Sequence, residues 1–312
     1  MAMEAIKNRL RRSSTDPVFS TDGAIGMKIL SDTSNANIDI VFVHGLTSNR
    51  EETWTHKKGI FWPQDLLARD FPIARIMTFG FDVDLSRIWK IAASSLISDH
   101  GQALAYALVS EREDCSTRPI LFIAHGFGGL VCQKALILST RVDGLWQISS
   151  YALGIIFMGT PHHGESLARH TFRLAKYIRT TKKGHLGMIS GPNDLQRDVD
   201  TFQDMLHGGA ISLKVFCFYE TKPMNETVGK IVDESSAVLR DFKGCRIDAN
   251  HFNMTKFSGR WDAGYKRVQT LVSSLIGTSQ EKGEAALSET SNYTSVASST
   301  DASCPRAPLP TN

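Results

Sequence analysis

Five runs of β-branched and aromatic residues, each closed by a turn signal, constrain this chain more than anything else in it. They are IDIVFVH (38–44), ARIMTFGF (74–81), PILFIAH (119–125), YALGIIFMG (151–159) and LKVFCFYE (213–220). A half-buried strand alternates apolar and polar residues; these runs are apolar almost throughout, as strands covered on both faces must be. Between them, apolar residues recur at helical spacing over Ser86 to Glu113, Gly128 to Thr140, Leu167 to Arg179 and, last, Asp262 to Leu275. Strand alternating with helix predicts an α/β fold, a doubly wound and mainly parallel sheet.

The 312 residues suit one such domain. Its expected limits are 20–277, between a disordered leader at 1–19 and a Ser/Thr/Ala-rich tail at 278–312 that lacks the apolar spacing needed to bury a helix or strand. A hydrophobic content of 42% with 21% charged residues excludes a fibrous or wholly disordered chain. The net charge is +3, and the two basic stretches, Lys7 to Arg12 and Arg173 to Lys183, do not alternate with aromatics, so they read as solvated faces, not nucleic-acid patches. Five cysteines without a C-x-x-C pair or a Cys/His cluster argue against a disulfide framework or a zinc site. No apolar stretch follows the basic residues of the N-terminus, and the longest apolar run, Tyr151 to Gly159, is far short of the roughly 18–20 residues that cross a bilayer. The expected location is cytoplasmic, with a mitochondrial presequence or a peripheral place on an internal membrane as alternatives.

In an open α/β sheet the working residues sit in loops at the carboxyl ends of strands. PILFIAH runs there into GFGGL, a buried strand, a glycine-rich turn and a helix. A nucleophile elbow, G-x-S-x-G, needs small residues around its centre because the turn is sharp and strained. Ala124 and Gly128 are the small flanks, Gly129 stands behind them, and the centre is Gly126. Glycine accepts the positive φ of such a turn, so the backbone can be kept while the nucleophilic hydroxyl is lost. A phosphate loop is the other reading of this turn, but neither G-x-G-x-x-G nor a Walker lysine with Ser/Thr is present.

Two further strand ends complete a constellation. FVHGL can present the Leu46 N–H to a substrate oxygen, paired with the N–H of Phe127 after the elbow, as an oxyanion hole. FCFYE ends on Glu220, and DANHF carries His251, giving the order nucleophile, acid, histidine of this architecture. His251 is the candidate general base and Glu220 its orienting carboxylate, with Asp233 in KIVDESSA as the alternative acid.

Taken together, VFVHGLTSNREETWTH, IMTFGFD, RPILFIAHGFGGLVCQKAL, GIIFMGTPHHG, FCFYETKP, IVDESSAVL and NHFNMTKFSG resemble the serine esterase domain related to the serine active site containing protein, over about Asp39 to Leu275. The resemblance implies an α/β-hydrolase fold and a lipase-like or esterase activity. Similar domains in fungi often precede NACHT, ankyrin or tetratricopeptide segments, which implies a fungal setting. The family's elbow reads HSLGG, so its serine falls on Gly126 and its leucine on Phe127, its base on His251 and its probable acid on Glu220. The GTPHHG block matches as well, with His162 and His163 expected to shape the rim of the pocket.

Three functions follow from a serine esterase frame without its serine. One is a pseudo-hydrolase that binds an ester, a lipid or a protein partner. Another is an active hydrolase in which His251 activates water directly. The third is an ordinary esterase in which Gly126 is an engineered or recorded change. None of them calls for a cofactor, a metal or nucleic acid.

Overall fold

In a computed structural model the described residues are 25–46, 48–82, 93–163, 169–170, 172–174, 176–177 and 193–277. The expected leader and tail, the first turns of the helix expected from Ser86, and residues 167–168, 171, 175 and 178–179 of the helix expected over Leu167 to Arg179 lie outside them; the described residues of the latter are helical. The chain divides into two compact units, Met1–Gln269 and Thr270–Asn312. The described part of the second, 270–277, is helical.

In the first unit the order is β1 (Gly26–Ser31), β2 (Ile38–Val43), β3 (Ala74–Gly80), α1 (Ala93–Glu111), β4 (Ile120–His125), α2 (Phe127–Ser139), α3 (Trp146–Tyr151), β5 (Ala152–Met158), α4 (Asn193–His207), β6 (Lys214–Glu220) and β7 (Gly244–Ile247). The strands lie side by side as β1-β3-β2-β4-β5-β6-β7; β1 runs antiparallel to β3 and every other neighbouring pair is parallel. The predicted mainly parallel α/β sheet is therefore what forms. Every residue of β2, β3 and β4 is buried, as unbroken apolar runs require. The helix α2 packs on both α1 and α4.

Two strands of this sheet have no counterpart among the five runs. Both are edges. β1 is half-exposed along its length, and three of the four residues of β7 face solvent. With no second face to bury, neither needs a continuous apolar run.

At the end of the sheet away from the elbow, β2 begins around a buried charge. The Asp39 carboxylate is inaccessible to solvent and meets Arg75 of β3 at 2.8 and 3.0 Å, Arg118 ahead of β4 at 3.0 Å, and Arg112 after α1. The excess positive charge is spread onto carbonyls: Arg75 donates to Glu111 O at 3.0 Å, and Arg112 to Ser116 O at 2.9 Å and Arg118 O at 2.6 Å. One carboxylate thus ties two strands to the turn that leads from α1 into β4. Removing one partner of a buried pair leaves uncompensated charge, at a cost of about 3–5 kcal/mol. Asp39→Asn is expected to lower unfolding free energy in urea by that amount, and Arg118→Gln, at the more exposed position, by less than half as much; an Asp39→Asn midpoint equal to that of the parent would remove this cluster from the stability argument.

Candidate active site

The site is built where β2, β4, β6 and the segment after β7 come together. β4 delivers His125 and then Gly126, whose φ of 52° and ψ of −123° lie in the strained region of an elbow centre, and α2 starts at once with Phe127. The Gly126 N–H donates to Met158 O at 3.0 Å, and the Gly129 N–H to Gly126 O at 3.1 Å, so the turn is held on both sides. A side chain at Gly128 has no room: its Cβ would stand 2.3 Å from His44 O and 2.5 Å from Val43 O.

Opposite Gly126 is His251. A Cβ at Gly126 would lie 3.4 Å from His251 Nε2, 3.8 Å from its Cε1 and 3.9 Å from Gly45 Cα. These are ordinary contact distances, so a Cβ at Gly126 would stand beside the His251 ring without a clash. The other ring nitrogen, Nδ1, stands 3.5 Å from Glu220 Oε1, and that oxygen accepts the Val232 N–H at 2.7 Å. Such separations are common in unliganded sites and tighten when a ligand arrives. Asp233, the alternative acid, is turned to other work: its carboxylate meets Arg173 at 2.9 Å and Arg169 at 3.6 Å.

The His251 segment is anchored from three sides. The His125 ring N–H at Nε2 donates to His251 O at 3.0 Å, Trp62 Nε1–H donates to Thr255 O at 2.8 Å, and the Thr255 hydroxyl donates to Thr53 O at 2.7 Å. Leu46 and Phe127, the proposed oxyanion donors, are both nearly buried. Phe127 opens α2, where the first N–H groups lack acceptors within the helix and the helix dipole favours negative charge. The turn before Leu46 is set by His44. The Phe81 N–H donates to His44 Nε2 at 3.1 Å, which leaves Nδ1 to carry the proton and donate it to Gly45 O at 2.8 Å. Burial drives this histidine down to about 4, keeping it neutral.

Two histidines join the site that the strand ends did not single out, His125 and His170. Their rings lie 4.6 and 5.5 Å from that of His251, and His170 stacks on Phe127 at 5.7 Å. Desolvation pushes both well below the usual histidine range. Among the described residues neither ring nitrogen of His170 has a hydrogen-bond partner, and Nδ1 of His125 and Nδ1 of His251 have none. His125 was visible as the residue ahead of the elbow; His170 carries no local signal and is brought in by tertiary packing. His162 sits in the core, against Gln133 of α2 at 3.0 Å and edge-on to Phe157, with burial lowering it to about 3. His163 is half-buried.

A cavity of about 880 Å³ borders the site, lined among others by Thr53, His56, His125, Phe252, Lys256 and Phe257. That volume is within the usual range for small-molecule sites. Glu52 and Lys256 both line it, each with its charged form disfavoured by burial. Among the described residues no cluster of His, Cys, Asp and Glu could hold a metal ion, and no helix is long and apolar enough to cross a membrane.

A mainly parallel sheet flanked by helices, with a sharp turn from a central strand into a helix, is that of an α/β-hydrolase fold. No family model matches the chain. It is similar to Protein SERAC1 of Danio rerio, 26% identical over 271 residues covering 77% of this chain and 39% of that protein, and to Protein SERAC1 of Homo sapiens, 26% identical over 243 residues covering 70% and 36%. The chain thus spans under two-fifths of the length of these curated relatives. They are animal proteins; the fungal setting rests on the resemblance alone. Among solved structures it is similar to an inhibited esterase B from Lactobacillus rhamnosis (11% identity, TM-score 0.47, covering 91% of this chain and 96% of that one) and to MenH from S. aureus (11%, 0.41, 82% and 99%).

His44, His125, His162 and His170 all stay neutral in the folded chain at pH values where they are protonated once unfolded. Between the unfolded value near 6.5 and the depressed folded values, the unfolded state binds more protons, so stability falls as pH falls. Each fully shifted histidine contributes up to about 1.4 kcal/mol per pH unit in that window. Urea midpoints measured from pH 7 to 5 are expected to drop steeply, with uptake of about three protons or more on unfolding. A flat profile over that range would contradict the neutral, buried state of these rings.

Proposed function

We propose that this chain is a serine-esterase or lipase-like α/β-hydrolase domain whose nucleophile has been lost, and that it binds an ester or lipid ligand, or a protein partner, without hydrolytic turnover. The observation that carries this reading is the 3.4 Å between a Cβ at Gly126 and His251 Nε2. In this reading His251 is the base, Glu220 stands behind it, Leu46 and Phe127 flank the turn as oxyanion donors, and the hydroxyl is the missing part. Loss of the nucleophile in a well-studied serine hydrolase costs about 10⁶-fold in turnover, and the oxyanion hole and binding alone retain roughly 10³–10⁴ over water. Binding outlasts such a loss; hydrolysis at a useful rate does not. A cytoplasmic location belongs to the same proposal.

The nearness of Glu220 Oε1 to His251 Nδ1, 3.5 Å, favours one second reading, in which His251 activates a water directly against a bound ester. Turnover by the present chain that disappears in His251→Ala, with no covalent adduct, would establish it.

The test of the first reading is a fluorophosphonate probe, which captures activated serines. The present chain is expected to remain unlabelled and Gly126→Ser to be labelled. Labelling of the present chain would mean that another nucleophile exists. The new serine must adopt a φ that glycine adopts freely, so Gly126→Ser is also expected to lose about 1–2 kcal/mol of stability after the entropic gain of replacing glycine. In that background Glu220→Gln should slow labelling by about 10²–10⁴-fold and Asp233→Asn by less than threefold, because the latter carboxylate is held by arginines. The reverse ranking would reassign the acid.

A further inference from the structure

We propose that two neighbouring tips of the chain, one carrying Lys57 and Lys58 and the other Arg260 and Trp261, form a docking surface for an anionic lipid bilayer, with the Trp261 indole entering the headgroup layer. Neither Gly126 nor His251 takes part in it.

The first tip ends a short hairpin. Thr55 and Phe61 bridge antiparallel, the His56 N–H donates to Ile60 O at 2.9 Å and the Gly59 N–H to His56 O at 2.8 Å, with Gly59 at a φ of 80°. The second tip is the loop from Phe257 into the helix that starts at Ala263. Their bases are packed together: Trp62, next to Phe61, donates to Thr255 O, and its ring lies 5.0 Å from Phe257 and 6.0 Å from Tyr265. The His56 ring feels the charges of Lys57, Lys58 and Asp262, which places the tips beside each other. Both border the cavity of about 880 Å³, the first through His56 and Lys57, the second through Asp262, Ala263 and Gly264.

Trp261 is 87% exposed, more than any other large hydrophobic residue among those described, and Lys266 Nζ lies 5.0 Å over its ring. A lone exposed apolar side chain is ordinary. This one is an indole in a field of cations. Residues 55–61 and 257–267 hold five Lys and Arg against one carboxylate, Asp262. That carboxylate is half-buried and taken up by the Ser258 N–H at 3.0 Å, the Ser258 hydroxyl at 2.9 Å and the Gly264 N–H at 2.9 Å. Of the acids reaching this region from elsewhere, Asp70 is shared by Arg260, Tyr265 and Gln269, Asp248 pairs with Lys222 at 2.9 Å, and burial disfavours the charged form of Glu52. The exposed tips are thus left positive. Lysine is depleted from protein–protein contacts, whereas indoles gather at the headgroup level of membranes and lysines are drawn to anionic lipid, so this pairing favours a bilayer over a folded partner. Docking there places the cavity at the membrane surface, the source of a lipid ligand.

The experiment sediments the full chain with vesicles of phosphatidylcholine alone and of equal parts phosphatidylcholine and phosphatidylserine. Binding is expected to the mixed vesicles, to be far weaker to the neutral ones, and to fall in high salt. Trp261→Ser should weaken it about tenfold, and Lys57→Ala and Lys58→Ala about fivefold each, with unfolding midpoints unchanged because these side chains face solvent. Absence of binding to either vesicle, or equal binding to both, would overturn the proposal. So would binding that persists in all three variants, which would assign the contact to another basic stretch such as Lys7 to Arg12. Self-association of the parent chain that Trp261→Ser abolishes, without vesicle binding, would make the surface a contact between copies of the chain and overturn the proposal as well.

Discussion

The approach of α2 to the carboxyl end of β2 is the constraint on which the rest of the site depends. At Gly128 the helix lies so close to the carbonyls of Val43 and His44 that no side chain fits between them. A collision with backbone cannot be relieved by a rotamer change, so any larger residue must push the helix away. Because α2 begins one residue after the elbow centre, such a displacement would carry Gly126 and the Phe127 N–H with it. The same close packing sets Leu46 across from Phe127, since Leu46 follows His44 and Gly45 directly. A small residue in α2 therefore does as much for the geometry of this site as any group with chemistry of its own.

Within that frame the centre of the elbow is under a separate constraint. A φ of 52° with a ψ of −123° costs a residue with a side chain about 1–3 kcal/mol, and enzymes of this fold accept the cost because the nucleophile must stand clear of the sheet. Glycine occupies the same conformation without it. Glycine at this position therefore keeps the turn without strain, and its backbone holds it on both sides: the Gly126 N–H reaches Met158 O, and Gly126 O accepts from the Gly129 N–H. A turn of this shape is thus held by backbone hydrogen bonds and needs no side chain at its centre.

The sequence showed most clearly what is buried twice. β2 to β6 are covered on both faces and so could be read from runs of apolar residues, with ends within one residue of those observed. β1 and β7 lie at the edges and α4 is a mainly polar surface helix, and none of the three carries an unbroken apolar run. The three candidate groups of the site were legible because each follows a strand end, where this architecture places its chemistry. Glu220 was preferred to Asp233 because it ends β6, and the structure adds what no sequence shows, that Arg173 meets the Asp233 carboxylate. His170 was hidden for a related reason: its nearness to His251 comes from packing between segments about eighty residues apart, which no local spacing encodes.

The survival of Glu220 and His251 weighs less as evidence for turnover than it first suggests. Glu220 is fully buried, and one of its oxygens also accepts the Val232 N–H, so the carboxylate helps fix the loop beyond β6 whatever His251 does. His251 in turn lends its carbonyl to His125 and its ring to three aromatic neighbours. Removal of either would leave buried polar groups without partners, a cost of roughly 1–3 kcal/mol each that a folded chain resists even when no reaction depends on them. Among the described residues His251 Nδ1, 3.5 Å from Glu220 Oε1, has no hydrogen-bond partner, so the ring is held facing Gly126 by packing and by the anchored backbone, not by a bond to the carboxylate.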